Sequence, residues 1–328
     1  MLKFLLGRRA CLPLLAVAAM NAASSPALAQ SEAAAYPTHS IRVVVPYPPG
    51  GNTDVIARQV MNGLSERLGQ PIVIDNKPGA NSILGTDSVA KSQPDGYTLL
   101  VVIGAYANNQ SLYKRLPFSP GDLTPVSLLS RTLLVAVTGQ PDIKSFADLK
   151  RPRPAGQLSF ASSGVGSAAH VLSERLARSL GAKVMHVPYK GSTEAINDLV
   201  NGRVDFMFDA VAAMGPMIQQ GRLTALAVTG EARSPLLPQV PSLGELGHPE
   251  LVSYVWAGLL APGKTPKPII DKLAAELDKV LHEPELKAKL AAIGTEAVGG
   301  TPADLAAFID NEVKTNGAII KQLGLSLD

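Results

Sequence analysis

Cysteine is nearly absent. The 328-residue chain holds one, Cys11, within the first 29 residues. The body of the chain can therefore form no disulfide and no cysteine metal site, and thiol redox chemistry is excluded. A charge excess is missing too. The formal net charge is +3, and Lys3, Arg8 and Arg9 supply all of it before residue 30. From residue 30 onward the charges balance, without the basic surplus that nucleic-acid binding needs. The histidines His39, His170, His186, His248 and His282 show no metal-ligand spacing, so no metal and no cofactor is assigned. The sequence has no Gly-x-Ser-x-Gly elbow, and no Gly-Lys-Ser/Thr comes after Gly50-Gly51, which removes the strongest signatures of an α/β hydrolase and a P-loop. There is no fixed-period repeat and no low-complexity tract.

What is present begins with a leader. Lys3, Arg8 and Arg9 precede the apolar run Leu12 to Met20, and Ala27-Leu28-Ala29 gives the small-x-small pattern of a cleavage site. This predicts a secretory signal over residues 1–29, cut after Ala29. The apolar run is far short of the roughly 20 residues that span a bilayer. Arg8-Arg9 is a loose match to a twin-arginine signal. An exported chain without thiols suits an oxidising compartment.

The stretch from Ile41 to Gln70 organises the rest. Ile41, Val43, Val44 and Val45 form a β-branched run suited to a buried strand, and Pro46, Pro48 and Pro49 end it. Gly50 and Gly51 allow a tight turn, Asn52 or Thr53 can cap a helix, and Ile56, Val60, Leu64 and Leu68 recur at four-residue steps. A strand, glycine loop and helix place backbone N–H groups and a positive helix end at one spot, which suits a small anion. The alternation continues with a strand at 71–76, a helix around 83–91 and a strand at 97–103, so that loops 46–53 and 104–109 fall on one sheet edge.

Val126 to Val137 and Leu251 to Leu260 read as two long extended runs that carry the chain between two lobes. The division expected is 30–130 for the first part of lobe 1, 131–255 for lobe 2 and 256–328 for the return to lobe 1. Helices near 268–282, 284–293 and 302–322 are expected to pack on lobe 1. The fold class predicted is α/β with two lobes, each a wound, mostly parallel sheet flanked by helices.

Each candidate site residue also has a purely structural reading. Asp54 can face a ligand or simply complement its helix dipole. Gly164-Val165-Gly166-Ser167 formally begins a dinucleotide pattern, but the acid expected after the next strand is replaced by His186-Val187-Pro188-Tyr189. A helix-start anion site with the hydroxyls of Ser162, Ser163 and Ser167 is simpler. His170 can donate to a carboxylate or be satisfied by backbone. Asp209 can reach a cleft or cap the next helix. Tyr189 can cover a ligand while its hydroxyl makes a bond.

Several ordered motifs together resemble one family. These are Tyr36-Pro37 leading into Ile41 to Asp54, Leu68-Gly69-Gln70-Pro71, Asn76-Lys77-Pro78-Gly79-Ala80, Pro94-Asp95-Gly96-Tyr97-Thr98-Leu99, Val187-Pro188-Tyr189-Lys190-Gly191 and Val298-Gly299-Gly300-Thr301-Pro302. They resemble the Bug family, the periplasmic solute-binding receptors of tripartite tricarboxylate transporters. The resemblance implies a Venus-flytrap fold and a small organic carboxylate bound in the cleft through loop backbone, hydroxyls and ordered water. It also implies membrane transporter subunits as partners, a monomeric receptor, a periplasmic location and no enzymatic activity. The family's ligand loops map onto Tyr47, Pro48, Gly50, Gly51, Asn52, Thr53 and Asp54, onto Ala105 to Asn109, and onto Ser162, Ser163, Gly166, Ser167, His170, Tyr189 and Asp209. Ala105-Tyr106-Ala107-Asn108 departs from the Gly/Ser/Thr/His-rich segment of many members, and Tyr106 is expected to narrow the cleft. Two other readings stay open: a secreted serine esterase, and a binding protein that feeds a sensor.

Overall fold

The computed structural model describes residues 35–151, 156–189 and 192–327. The leader, Cys11 and the Lys190-Gly191 pair lie outside the described residues. Among the described residues, eleven strands form two sheets. The first contains β1 (Ile41–Val45), β2 (Ile72–Asn76), β3 (Thr98–Ile103), β4 (Leu123–Thr132), β10 (Val255–Pro262) and β11 (Thr295–Gly299), in the order β11-β4-β10-β3-β1-β2. The second contains β5 (Leu134–Thr138), β6 (Leu158–Ser162), β7 (Val184–Pro188), β8 (Phe206–Ala210) and β9 (Thr224–Val228), in the order β7-β6-β8-β5-β9.

Two wound sheets were expected, and both are there. Each is mixed rather than mostly parallel. β1 pairs in parallel with β2 and β3, and β6 with β7 and β8, because helical crossovers join them. The antiparallel pairs involve β4, β5 and β10, which carry the chain from one sheet to the other or back, and β9 and β11 beside them. A strand arriving from the opposite lobe enters its sheet from the other end.

Period-two alternation assigns each side chain to a layer. Val43, Val45, Leu99 and Val101 face one side of the first sheet, where α1 (Asn52–Leu68) supplies Ile56, Val60 and Leu64 and α7 (Lys267–Leu281) supplies Leu273 and Leu277. Val44, Leu100 and Val102 face the other side, against α2 (Ile83–Ala90), α3 (Gly104–Leu112) and α9 (Pro302–Gln322). The second sheet repeats the scheme. Phe160, Phe206 and Phe208 meet α4 (Ala168–Leu180), while Ala161 and Met207 meet α5 (Ser192–Val200) and α6 (Val211–Gln219). Burying one such phenylalanine stabilises the fold by about 1.5–3 kcal/mol. α8 (Pro284–Ala292) adds Leu286 and Leu290 to the first core.

Two differences from the sequence reading affect the site. Residues 104–109, expected as a loop, are the start of α3. Neither Asn52 nor Thr53 caps α1: the N-cap is Gly51, in extended backbone at φ −72°, and no side chain caps it. Gly50 is the residue that takes the left-handed conformation, at φ +79°. α9 packs on the first sheet and also reaches the second lobe. Ile320 joins Leu112 of α3 and Val171 of α4 in one small apolar cluster, and Arg178 of α4 bonds to Gln322.

Candidate functional site

A cavity of about 310 Å³ lies between the lobes. From the first lobe it is walled by Tyr47, Asn81 and the beginning of α3, at Gly104, Ala105 and Asn108. From the second it is walled by the loop Ser163 to Ser167, by the beginning of α4 and by Asp209 at the end of β8. Ser253 and Tyr254, just ahead of β10, and Trp256 within it line the cavity too. Glu312 and Asn316 of α9 complete the wall beside Arg175 of α4.

The start of a helix from each lobe therefore meets one space. First-turn N–H groups have no partner within their own helix, and the helix dipole makes that end positive. α3 begins after Ile103 without a side-chain cap. At α4, Ser167 is the N-cap, and its hydroxyl accepts from the His170 N–H at 3.3 Å. The N–H groups of Gly104, Ala105, Ala168 and Ala169 belong to these first turns, and all four residues line the cavity. Such a pair of helix ends can receive a carboxylate without any cationic side chain.

Among the residues singled out from the sequence, Tyr47, Ala105, Ser163, Gly166, Ser167 and Asp209 line this cavity. Pro48, Gly50, Gly51, Asn52, Thr53 and Asp54 do not. Pro48 to Asn52 are exposed, and Asp54 is buried beneath them. One Asp54 oxygen accepts from the Gly50 N–H and from Arg58 Nε, both at 2.9 Å, and the other accepts from Asn76 Nδ2 at 2.9 Å. The Arg58 bond, with those from Gly50 and Asn76, holds this carboxyl down at about 2. The loop ahead of α1 thus closes on the protein's own carboxylate, while no side chain caps the helix itself.

The other residues act one layer behind the wall. Asn109 exchanges two bonds of 2.7 Å with Asn81, donating to its carbonyl and accepting from its side chain. This props up Ala80, Asn81 and Ser82, three consecutive non-glycine residues at positive φ of 45°, 49° and 75°, a backbone state kept only where surroundings enforce it. The His170 ring is buried and stacks on His186 at 3.8 Å, and its Nδ1 accepts from the Gly166 N–H at 3.0 Å. His170 therefore shapes the loop from behind it. Burial pushes both imidazoles down to about 4, the proximity of His186 contributing at His170. Ser162 Oγ lies 2.7 Å from His186 Nε2 and 3.0 Å from the Gly164 carbonyl. Tyr189 donates its hydroxyl to Asp198 at 2.7 Å, and burial together with that carboxylate raises the phenol to about 12. Asp209 accepts from the Ala210 N–H at 2.7 Å and from Ser192, and burial raises its carboxyl.

Tyr106, expected to narrow the cleft, is buried in the first-lobe core beside Phe118. The neighbouring Asn108 matters instead. It donates to the Gly166 carbonyl at 3.0 Å across the lobe boundary and accepts from Asn316 at 3.1 Å. Asn108 lies within the 105–109 segment named from the sequence; Asn81, Arg175, Glu312 and Asn316 also line the wall and were not singled out. Arg175 lies seven residues after Ala168, which puts both on one helical face. Nothing near Glu312 or Asn316 in sequence points to the site.

The family model described as the tripartite tricarboxylate transporter family receptor matches residues 56–325. The chain belongs to this receptor family. BugT of Bordetella pertussis is 36% identical over 322 residues, covering 96% of this receptor and 98% of that protein. An R. palustris protein solved with adipate superposes with a TM-score of 0.76 at 33% identity, over 89% of this receptor and all of that chain. MatC from Rhodopseudomonas palustris, solved with bound malate, superposes with a TM-score of 0.72 at 30% identity, over 87% and 100%. Among the described residues of this receptor, no helix is long and apolar enough to cross a membrane, and no His/Cys/Asp/Glu group has the arrangement of a metal site.

Proposed function

We propose that this receptor works in the periplasm as a monomer, after its leader is cut behind Ala29. In this reading it captures a small organic carboxylate between its lobes and presents it to the membrane subunits of a tripartite tricarboxylate transporter. The observation that carries the proposal is the convergence of two helix starts, one from each lobe, on one cavity. A carboxylate there is bound by oriented N–H groups whose cost of ordering the fold has already met, and it links the lobes because each supplies donors. Relatives solved with adipate and with malate support the ligand class.

The reading as a serine esterase finds little support. Ser162 does sit beside His186, but that ring is stacked on His170, and among the described residues no carboxylate orients it. A nucleophile–base pair without an orienting group lacks the third element of the usual arrangement. The sensor-feeding alternative is separated by asking whether genes for two transporter membrane subunits lie beside this one.

The test is a thermal-shift screen of mature protein against mono-, di- and tricarboxylates, followed by calorimetry on any acid that stabilises it. Saturable one-to-one binding of an acid is the expected result. Binding of no acid, or steady hydrolysis of a simple ester that is lost in Ser162→Ala, would overturn the proposal. Intact-mass analysis of the exported protein should find Gln30 at the N-terminus; a retained leader would remove the periplasmic assignment.

A further inference from the structure

A second hollow lies between the lobes, and it shares one lining residue, Tyr254, with the cavity described above. Its volume is about 500 Å³, within the roughly 300–1,000 Å³ of small-molecule sites. The first lobe supplies Lys287 of α8 and the beginning of β11, and the second supplies the segment 230–236 that follows β9. Leu133, at the crossover between the sheets, lines it too. The lobes are close here: a Cβ on Gly294 would lie 3.2 Å from Leu236 Cδ1. Three cations, Arg131, Arg233 and Lys287, face one lining acid, Glu296. Arg233 is matched by Glu245 at 2.8 Å, so Arg131 and Lys287 outnumber Glu296. Arg131 makes no hydrogen bond or ion pair among the described residues, although it also borders a hollow that holds Asp278 and Asp304. Its Nε is shut away from solvent without an acceptor, an uncommon and costly state in a folded protein. The rings of Tyr254 and Phe308 lie 5.5 and 5.6 Å from its Cζ and hold the guanidinium in place.

We propose that this hollow is a second binding site, which takes a small organic anion with a flat apolar body, such as an aromatic carboxylate or sulfonate. The anionic group meets Arg131 and Lys287, while the apolar body lies against Tyr254, Leu133 and Leu236. A guanidinium presents planar donors that suit such a group, and one already fixed between two rings gives up little freedom on binding. The apolar walls supply most of the contact area, and the cations set the sign of charge that is accepted. Both lobes wall the hollow, so an occupant fits only the arrangement in which they meet and thereby favours it. None of this depends on what the cleft itself binds.

The test is calorimetry on the full mature chain at low salt with naphthalene-1-sulfonate, and with 1-naphthylmethylammonium as a cation of the same body. The sulfonate should bind saturably and one-to-one, and the cation about tenfold more weakly or worse. Leu236→Glu, at an exposed position that does not line the cleft cavity, should weaken the sulfonate by about tenfold or more, as should Arg131→Gln. Glu296→Gln removes the acid on the wall and should tighten it by about twofold or more. Asn108→Ala cuts a bond between the lobes without touching this hollow, and should weaken the sulfonate by about threefold or more. Circular dichroism and melting curves confirm that each variant is folded. No sulfonate binding, equal binding of the cation, or no tightening in Glu296→Gln overturns the site. Unchanged affinity in both Leu236→Glu and Arg131→Gln overturns it as well, by placing the probe elsewhere, and unchanged affinity in Asn108→Ala overturns the link to the lobe arrangement.

Discussion

Replacing Asn108 by alanine should loosen the grip of the lobes without unfolding either. Asn108 is buried, and its side chain makes two bonds of different kinds. The one to the Gly166 carbonyl, at 3.0 Å, joins the lobes; the one from Asn316, at 3.1 Å, stays on the first-lobe side between α3 and α9. Truncation orphans the Gly166 carbonyl, and a buried group left unpaired costs about 1–3 kcal/mol. Asn316 suffers less, because it keeps its bond to Glu312 at 3.3 Å. A central value of about 2 kcal/mol, acting on the arrangement in which the lobes touch, predicts roughly thirtyfold weaker binding of whichever acid the screen identifies. The loss should appear mainly as faster release, since most affinity differences within one interface lie in the dissociation rate. Stopped-flow dissociation with calorimetry on Asn108→Ala and Asn316→Ala makes the comparison. Asn316→Ala removes no bond between loop and lobe and should alter release far less. Unchanged affinity in folded Asn108→Ala, or equal acceleration by both variants, would refute the reasoning.

Gly166→Ala should act through the same boundary: Gly166 is at φ +78°, and a Cβ there would lie 2.5 Å from Leu112 Cδ1. Tenfold or greater loss of ligand affinity, with a larger radius of gyration by small-angle scattering, is the expected result. Acid should weaken the fold in two successive windows. His170 and His186 are held down at about 4 by burial, so below the unfolded value near 6.5 the unfolded chain takes up protons that the native state refuses. Stability then falls from about pH 6.5 to about pH 4, by about 1.4 kcal/mol per pH unit for each proton involved. The Asp54 carboxyl, held at about 2 chiefly by Arg58, runs the same way at lower pH, its contribution present above pH 4 and lost between about 4 and 2. Urea titrations across about pH 2–8 would show both windows, and His186→Gln should flatten the upper one. Finally, Trp256 is 1% exposed, lines the cavity and donates to Glu312, so its emission should change saturably on titration with ligand; full binding with an unchanged spectrum would mean that the ring's surroundings do not respond.

The sequence made the layers of the fold legible because period-two burial and proline punctuation are local signals. Ile41 to Val45, stopped at Pro46, could be read directly, as could the C-terminal helices from their apolar spacing. The start of α3 could not. Gly104 to Asn109 has no capping side chain and no apolar stripe, and it is helical because it packs beneath α9. In the site, the loop Ser163 to Ser167 and Asp209 could be named in advance because strand-to-helix junctions mark a sheet edge. The wall contributed by α9 could not, since Glu312 and Asn316 come from a helix that otherwise reads as a surface element. The glycine loop itself was legible, but not the direction of its carboxylate, since Asp54 turns back onto Gly50, Arg58 and Asn76.

One residue, Leu133, separates β4 from β5. On one side of it Thr132 is fixed in register with Val255 and Thr295; on the other, Leu134 is fixed opposite Ala210. Side chains alternate along an extended chain, so adding or deleting one residue at this junction would put the inward faces of β4 and β5 out of step with one another. Point substitutions around the cavity carry no such penalty. Inheritance in this chain is therefore free to revise what is bound, letter by letter, while changes of length at the junction are closed to it. Descendants that differ widely in diet should still share the same count of residues between Thr132 and Leu134.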